Sequence, residues 1–206
     1  MQTLVVWAHP RRDSFSHAVL ETAVDALARA GHHVDVVDLY GERYQPAMTP
    51  SEWQAYSELR SEPDERSAAH IELVRVAEQL VFIYPTWWFG LPAILKGWLE
   101  RTMVPGVAFR IDEHGALRGN LTELRRIVGI ATYGSSPWYV HLIGDAGRRT
   151  LDRTVRMSTP NPLKVRVRWY PLYRMDTIDD DQRRAFLERI GTELARPGGR
   201  RRGVRR

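Results

Sequence analysis

The sequence predicts a doubly wound α/β fold: a five-stranded parallel sheet of strand order 2-1-3-4-5 with helices on both faces. Three observations predict it. Apolar runs of strand length alternate with segments of helical periodicity. Most of these runs are apolar at every position, as strands covered on both faces must be. Five such strands joined by right-handed crossovers have this order as their natural doubly wound solution.

The elements follow in order. Thr3 to Ala8 (TLVVWA) is β-branched and aromatic, and reads as a central strand. Ser14 caps a helix whose apolar positions Phe15, Ala18, Val19, Thr22, Ala26 and Leu27 recur at three and four, ending at Gly31. His33 to Leu39 gives a second strand. Residues 41 to 69 are polar and irregular, with a short helix at Ser51 to Arg60, and Ile71 to Gln79 completes a helix that packs back on the sheet. Leu80 to Tyr84 (LVFIY) is a third buried strand, stopped by Pro85. Pro92 to Met103 is a helix with proline in its first turn. Leu124 to Thr132 is the fourth strand, and Trp138 to Met157 contains a helix that Gly144 and Gly147 weaken. Val165, Val167 and Trp169 alternate with Arg166, Arg168 and Tyr170, the pattern of an edge strand with one exposed face. Asp179 to Leu194 closes the fold as a helix with three aspartates at its start, where the helix dipole favours anions.

The 206 residues suffice for one large domain, expected over 1–195, with a tail at 196–206. The tail, RPGGRRRGVRR, holds six arginines and no acid, so disorder is expected there. Setting it aside leaves 24 basic against 25 acidic residues, so the net charge of +5 belongs to the tail and a nucleic-acid partner is not expected of the body. There is no cysteine, which excludes disulfides, thiolate metal sites, cysteine nucleophiles and iron–sulfur clusters. No uncharged apolar run approaches the roughly 18 residues that cross a bilayer, and the N-terminal charges follow the apolar stretch instead of preceding it. The expected location is the cytoplasm, without membrane insertion.

Ligands in such sheets bind at the carboxyl ends of the strands, where the order reverses beside strand 1. That directs attention to loops 9–17, 85–92 and 132–141. The first lacks G-x-G-x-x-G, and G-x-x-x-x-G-K-[ST] occurs nowhere. It offers His9, Arg11, Arg12, the hydroxyls of Ser14 and Ser16, and the free N–H groups of a helix start, which suit phosphate. Ser14 as a plain N-cap with solvated arginines is the competing reading. The second loop, PTWWFGLP, exposes Trp87, Trp88 and Phe89, which suit a satellite core, a subunit interface or a flat ligand. The third, TYGSSPWYVH, brings backbone near a ligand at Gly134 and supplies Tyr139 and His141 as candidate proton donors. The adjacent His32 and His33 point to opposite strand faces, and His17, His70 and His114 have no ligand-like spacing with carboxylates, so no metal site is expected.

Trp88-Phe89-Gly90, Pro92 to Trp98 and Glu100-Arg101 together resemble the W-F-G-x-P-A-I-L-K-G-W-x-E-R signature of the flavodoxin-like NAD(P)H:quinone oxidoreductases. That family includes bacterial members related to modulator of drug activity B and the ancillary oxidoreductases of potassium-efflux systems. Ala8, His9, Ser14 and Phe15 resemble its A-H-x-x-x-x-S-F, and Asp38-Leu39-Tyr40 its D-L-Y. The resemblance spans roughly residues 2 to 195.

It implies a noncovalent FAD or FMN, NAD(P)H as co-substrate, a quinone-like acceptor and a homodimer with sites at the subunit boundary. His9, Ser14, Phe15 and Ser16 would hold the flavin phosphate end; Pro85, Thr86, Trp87, Trp88 and Phe89 would line the isoalloxazine; Thr132 and Gly134 would approach its pyrimidine edge. Tyr133 stands where the family often has a second glycine, and is expected to narrow the pocket. Tyr139 matches a tyrosine near the reduced flavin. The family's histidine falls farther along than His141, near Asp145. Two other functions sit on the same resemblance: an azoreductase or flavin reductase, and a flavin-binding regulatory or ancillary subunit of a membrane transporter.

Overall fold

The structure, a computed structural model, describes residues 1–196. Beyond Arg196, the tail and the disorder expected of it lie outside the described residues.

The chain opens with β1 (Gln2–Trp7), and Ser14 caps α1 (Phe15–Arg29) by accepting the His17 N–H. After β2 (His33–Asp38) come α2 (Pro50–Ser57) and α3 (Glu65–Val76). Thr49 and Glu52 cap α2 reciprocally, and Asp64 caps α3 through the Ser67 N–H. The next units are β3 (Gln79–Pro85) and α4 (Ala93–Thr102), followed by a small antiparallel hairpin, β4 (Phe109–Ile111) and β5 (Leu117–Gly119). Then follow β6 (Arg126–Thr132), α5 (Pro137–Ile143), the single turn α6 (Ala146–Arg149) running into a π-helical segment at Thr150–Val155, β7 (Arg166–Leu172) and α7 (Asp180–Leu194).

The main sheet is five-stranded in the order β2-β1-β3-β6-β7. Once the hairpin is recognised as an insertion, this is the order the sequence predicts. Every pairing is parallel. Strand side chains alternate between two cores. Leu4, Val6, Leu80, Phe82 and Ile127 pack with the fully buried Trp98 of α4 and with α3; Val5, Trp7, Val81, Ile83, Val128 and Ile130 pack under α1 and α7. Among the described residues β7 pairs only with β6, and it carries exposed Arg166 and Arg168, which discourage further strand addition.

Three segments depart from the sequence reading. The helix expected from Ile71 begins six residues earlier, because half of its buried face is polar: Ser67 and His70 lie buried beside Ile71 and Val74. The hairpin at 109–119 was not foreseen, since its three-residue strands are too short for a period to register. The helix expected across Trp138 to Met157 is broken after Ile143, where Gly144 enters the left-handed region at φ 92°.

Candidate active site

The carboxyl ends of β1, β3 and β6 bring the three expected loops side by side. Loop 1 leaves β1 with Ala8 donating its N–H to the Ile83 carbonyl of β3 at 3.0 Å. The His9 ring stacks on Trp7 at 6.3 Å, and its Nδ1 accepts the Arg11 N–H at 3.1 Å. The Ser14 hydroxyl donates to the Arg11 carbonyl at 2.7 Å while capping α1. The Ser16 hydroxyl is buried and accepts the Trp7 indole N–H at 2.9 Å, which leaves its own proton free to donate. Arg11 pairs with Asp13 and Arg12 with Asp38 at the exposed rim. The Phe15 ring turns inward and meets Phe186 of α7 at 6.2 Å, so this residue offers the loop its backbone N–H and not its ring. The N–H groups that open the 15-residue α1 add donors beside these hydroxyls, a chemistry suited to an anion.

Loop 2 is a tight turn. Gly90 donates its N–H to the Trp87 carbonyl at 3.0 Å, and the two central residues, Trp88 and Phe89, have φ of 54° and 55°. Two positive φ values define a type I′ turn, normally the province of Asn and Gly. Each costs an L-residue about 1–2 kcal/mol. The result is that Trp88 stands 98% exposed and Trp87 44% exposed, while Phe89 meets Tyr139 edge-on at 5.5 Å. Thr86 donates its N–H to the Thr132 carbonyl at 2.8 Å, clamping loop 2 to loop 3 where Pro85 and Thr132 pair in the sheet. The Thr86 hydroxyl is buried without a partner among the described residues, a group that calls for a ligand or water.

Loop 3 holds Gly134, where an added Cβ would lie 2.7 Å from an Asp176 carboxylate oxygen. Tyr133 does not narrow the pocket, contrary to expectation. Its side chain is 2% exposed, turned beneath the loop against Tyr173, and its hydroxyl donates to Asp145 Oδ2 at 2.7 Å. Burial, and then the Asp145 carboxylate, push the Tyr133 hydroxyl far above its usual range, so it remains a neutral donor. Tyr84, the tyrosine of β3, is likewise buried, its hydroxyl without a partner among the described residues and its pKa raised by burial. Sequence reasoning missed it, although a tyrosine inside an otherwise apolar run was the available signal.

The structure therefore brings Pro85, Thr86, Trp87, Trp88, Phe89, Thr132, Gly134 and Tyr139 to the carboxyl end of the sheet, with His9 and Ser14 on the adjoining loop and Ser16 in the first turn of α1. It does not bring His141 to the same side. That residue is exposed, two positions after Tyr139 on α5, and residues two apart do not share a helix face.

A flavodoxin-like fold family model matches residues 1–185, and the chain belongs to that family. Several proteins similar to it carry quinone-oxidoreductase names. NAD(P)H dehydrogenase (quinone) 1 of Cavia porcellus is 34% identical over 157 residues, 67% of this chain and 55% of that protein. The chain thus spans about half the length of this curated relative. The NAD(P)H:quinone oxidoreductase from Methanothermobacter marburgensis superposes with a TM-score of 0.78 at 28% identity, covering 94% of each chain. Smu.1420 from Streptococcus mutans gives a TM-score of 0.81 at 27% identity, over 95% of this chain and 99% of its own.

Proposed function

We propose that the protein is a flavin-dependent NAD(P)H oxidoreductase that reduces quinone-like acceptors by two electrons, NAD(P)H and acceptor using one site in turn. The reading includes a noncovalent FAD or FMN, a homodimer and a cytoplasmic location; no helix among the described residues is long and apolar enough to cross a membrane. The observation that carries it is the Trp87–Gly90 turn, which spends backbone strain to hold aromatic rings in the open at the end of β3. Strain and exposed apolar surface together are costly unless a flat ring covers them.

The residues fit such a group. The unpartnered Thr86 hydroxyl and the backbone of loop 2 would face the ring edge, and the α1 N-terminus with Ser14 and Ser16 would take the phosphate end. Bound there, a flavin supplies the two-electron transfer itself. The chain's own part is orientation and charge. Trp87, Trp88 and Phe89 exclude water and stack, the backbone near Gly134 donates to developing negative charge, and the Tyr139 hydroxyl holds a proton beside it. An open, aromatic-lined shelf selects weakly among flat acceptors, because rejection of analogues needs buried polar contacts.

The test is a visible spectrum of the purified protein, mass analysis of what heat releases, and anaerobic NAD(P)H addition. A yellow protein that bleaches and is recoloured by a quinone is the expected result. Protein that stays colourless with added FAD or FMN overturns the reading.

A further inference from the structure

Tyr133 in loop 3 and Asp145 beyond α5 are in direct contact. The Tyr133 hydroxyl donates to Asp145 Oδ2 at 2.7 Å, and Asp145 Oδ1 accepts the Arg148 N–H at 3.0 Å. Both carboxylate oxygens are therefore engaged. Asp145 itself has φ 25° and ψ 74°, a sparsely populated conformation for a residue with a side chain, and it follows Gly144 at φ 92°. The N–H groups of both residues turn back onto the Val140 carbonyl, at 2.9 and 3.3 Å. This elbow between α5 and α6 persists only if something outside it fixes the conformation, and the buried Tyr133 hydroxyl is placed to do so.

The elbow in turn touches the aromatic turn. Ala146, the residue after Asp145, donates its N–H to the Phe89 carbonyl at 3.1 Å. Gly147 packs so closely that a Cβ there would stand 3.0 Å from the Tyr84 hydroxyl and 3.2 Å from the Gly90 carbonyl carbon. Phe89 meets Tyr139 at 5.5 Å. A continuous run of bonds and close contacts thus leads from Tyr133 through Asp145 and Ala146 to the strained turn, and from there to the proton-bearing tyrosine.

We propose that Tyr133 and Asp145 form a positioning pair that locks the α5–α6 elbow against the Trp87–Gly90 turn, and so sets the placement of Phe89 and of the Tyr139 hydroxyl. Neither is a catalytic residue; both act through the turn and Tyr139. The inference rests on the proposed flavin site for its kinetic consequences, but its structural content stands without it.

The experiment has two arms. In the first, amide hydrogen exchange is measured on the protein as purified and on Tyr133→Phe and Asp145→Asn. Each variant is expected to speed exchange at Gly90 and Ala146 about tenfold, the size of a typical coupling between contacting residues, with the central strands unchanged. Acceleration confined to residues 144–148 overturns the proposal, and this arm reads out whether or not a flavin binds. In the second, on flavin-loaded protein, Tyr133→Phe is expected to lower kcat about tenfold with KM for NAD(P)H shifted less than about twofold, to move the visible flavin band, and to have no further effect on kcat in a Tyr139→Phe background. Additive losses in the double variant overturn it. Should Tyr133→Phe fail to fold, Asp145→Asn, which keeps one acceptor oxygen, carries both arms. A wild-type protein that binds no flavin sinks the functional reading while leaving the exchange result to decide the pair.

Discussion

Tyr139 and His141 lie two positions apart on α5, and their surroundings differ. Tyr139, 39% exposed, lies against Phe89 at the strand ends, whereas His141, also exposed, points from another side of α5. On the proposed reading Tyr139 is a preorganised donor, so replacing it by Phe should cost about 3 kcal/mol, or roughly 100-fold in turnover. Steady-state kinetics should show that loss with flavin still bound, and His141→Ala should stay within about twofold of wild type. Unchanged kinetics for Tyr139→Phe removes it from the mechanism. A second residue governs acid stability. His70 is buried, its Nδ1 accepts the Trp98 indole N–H at 3.2 Å, and its Nε2 faces Glu42 at 3.0 Å. The indole proton requires an unprotonated Nδ1, so the ring is neutral, and burial holds its pKa below the ordinary value even though Glu42 pulls it up. At pH above about 6.5 folded and unfolded rings are both neutral; below it the unfolded ring takes up a proton that the folded one resists. Thermal midpoints should therefore fall from pH 7 to pH 5. His70→Gln should flatten that slope, and an unaltered slope would assign it to other groups.

At the scale of the element, the Trp87–Gly90 turn offers the sharpest test of strain kept for function. Trp88→Gly relieves a left-handed residue worth about 1–2 kcal/mol while losing less than about 1 kcal/mol to glycine's entropy, so a net stabilisation of up to about 1 kcal/mol is expected. The same change removes a ring and loosens the turn, so flavin affinity should fall. Urea unfolding of the apoprotein and fluorescence quenching titrations measure the two effects; a variant that is neither more stable nor weaker in binding would show that the strain has no functional use. The sequence could not reveal this turn's geometry, because Trp-Trp-Phe-Gly carries no Asn or Asp to announce positive φ. It did reveal the sheet. Runs such as LVFIY are apolar at every position, and a parallel strand with two covered faces leaves no other choice. Likewise Ser14 and Gly31 bracket α1 at both ends. Elements whose buried face is polar escaped: Ser67 and His70 hid the first half of α3. The loops of the candidate site were legible because the sheet's switch point fixes where they lie. The Tyr133–Asp145 contact was not, since it joins residues across a helix break that periodicity reads as continuous helix.

Across the whole molecule, the least regular stretch, residues 39 to 64, is tied to the sheet by one buried cation. α4 passes so close beneath it that a Cβ at Gly97 would lie 2.2 Å from the Pro46 carbonyl oxygen. One turn farther on, Arg101 is 3% exposed; it donates to the Gln45 carbonyl at 2.5 Å, to Glu52 Oε1 at 2.5 and 3.0 Å and to Asp64 Oδ2 at 2.8 Å. Glu52 closes the capping box of α2 and Asp64 caps α3, so a single guanidinium secures the starts of two helices. Burial alone would raise the Asp64 pKa, but the Ser67 N–H and Arg101 outweigh it and bring it down to about 2. A buried pair contributes little net stability as a pair, yet removing one partner strands the other. Arg101→Met should therefore cost about 3–5 kcal/mol, and Arg101→Met with Glu52→Gln should recover part of that loss. The acid limb provides an independent check. Because Asp64 is depressed in the folded state, its contribution is complete above the unfolded value near 4 and is lost as pH falls toward 2. Urea unfolding between pH 5 and pH 2 should show a steeper fall for wild type than for Arg101→Met. Equal slopes, or a cost under about 1 kcal/mol, would mean that α2 and the 39–64 stretch are held by apolar packing and not by Arg101.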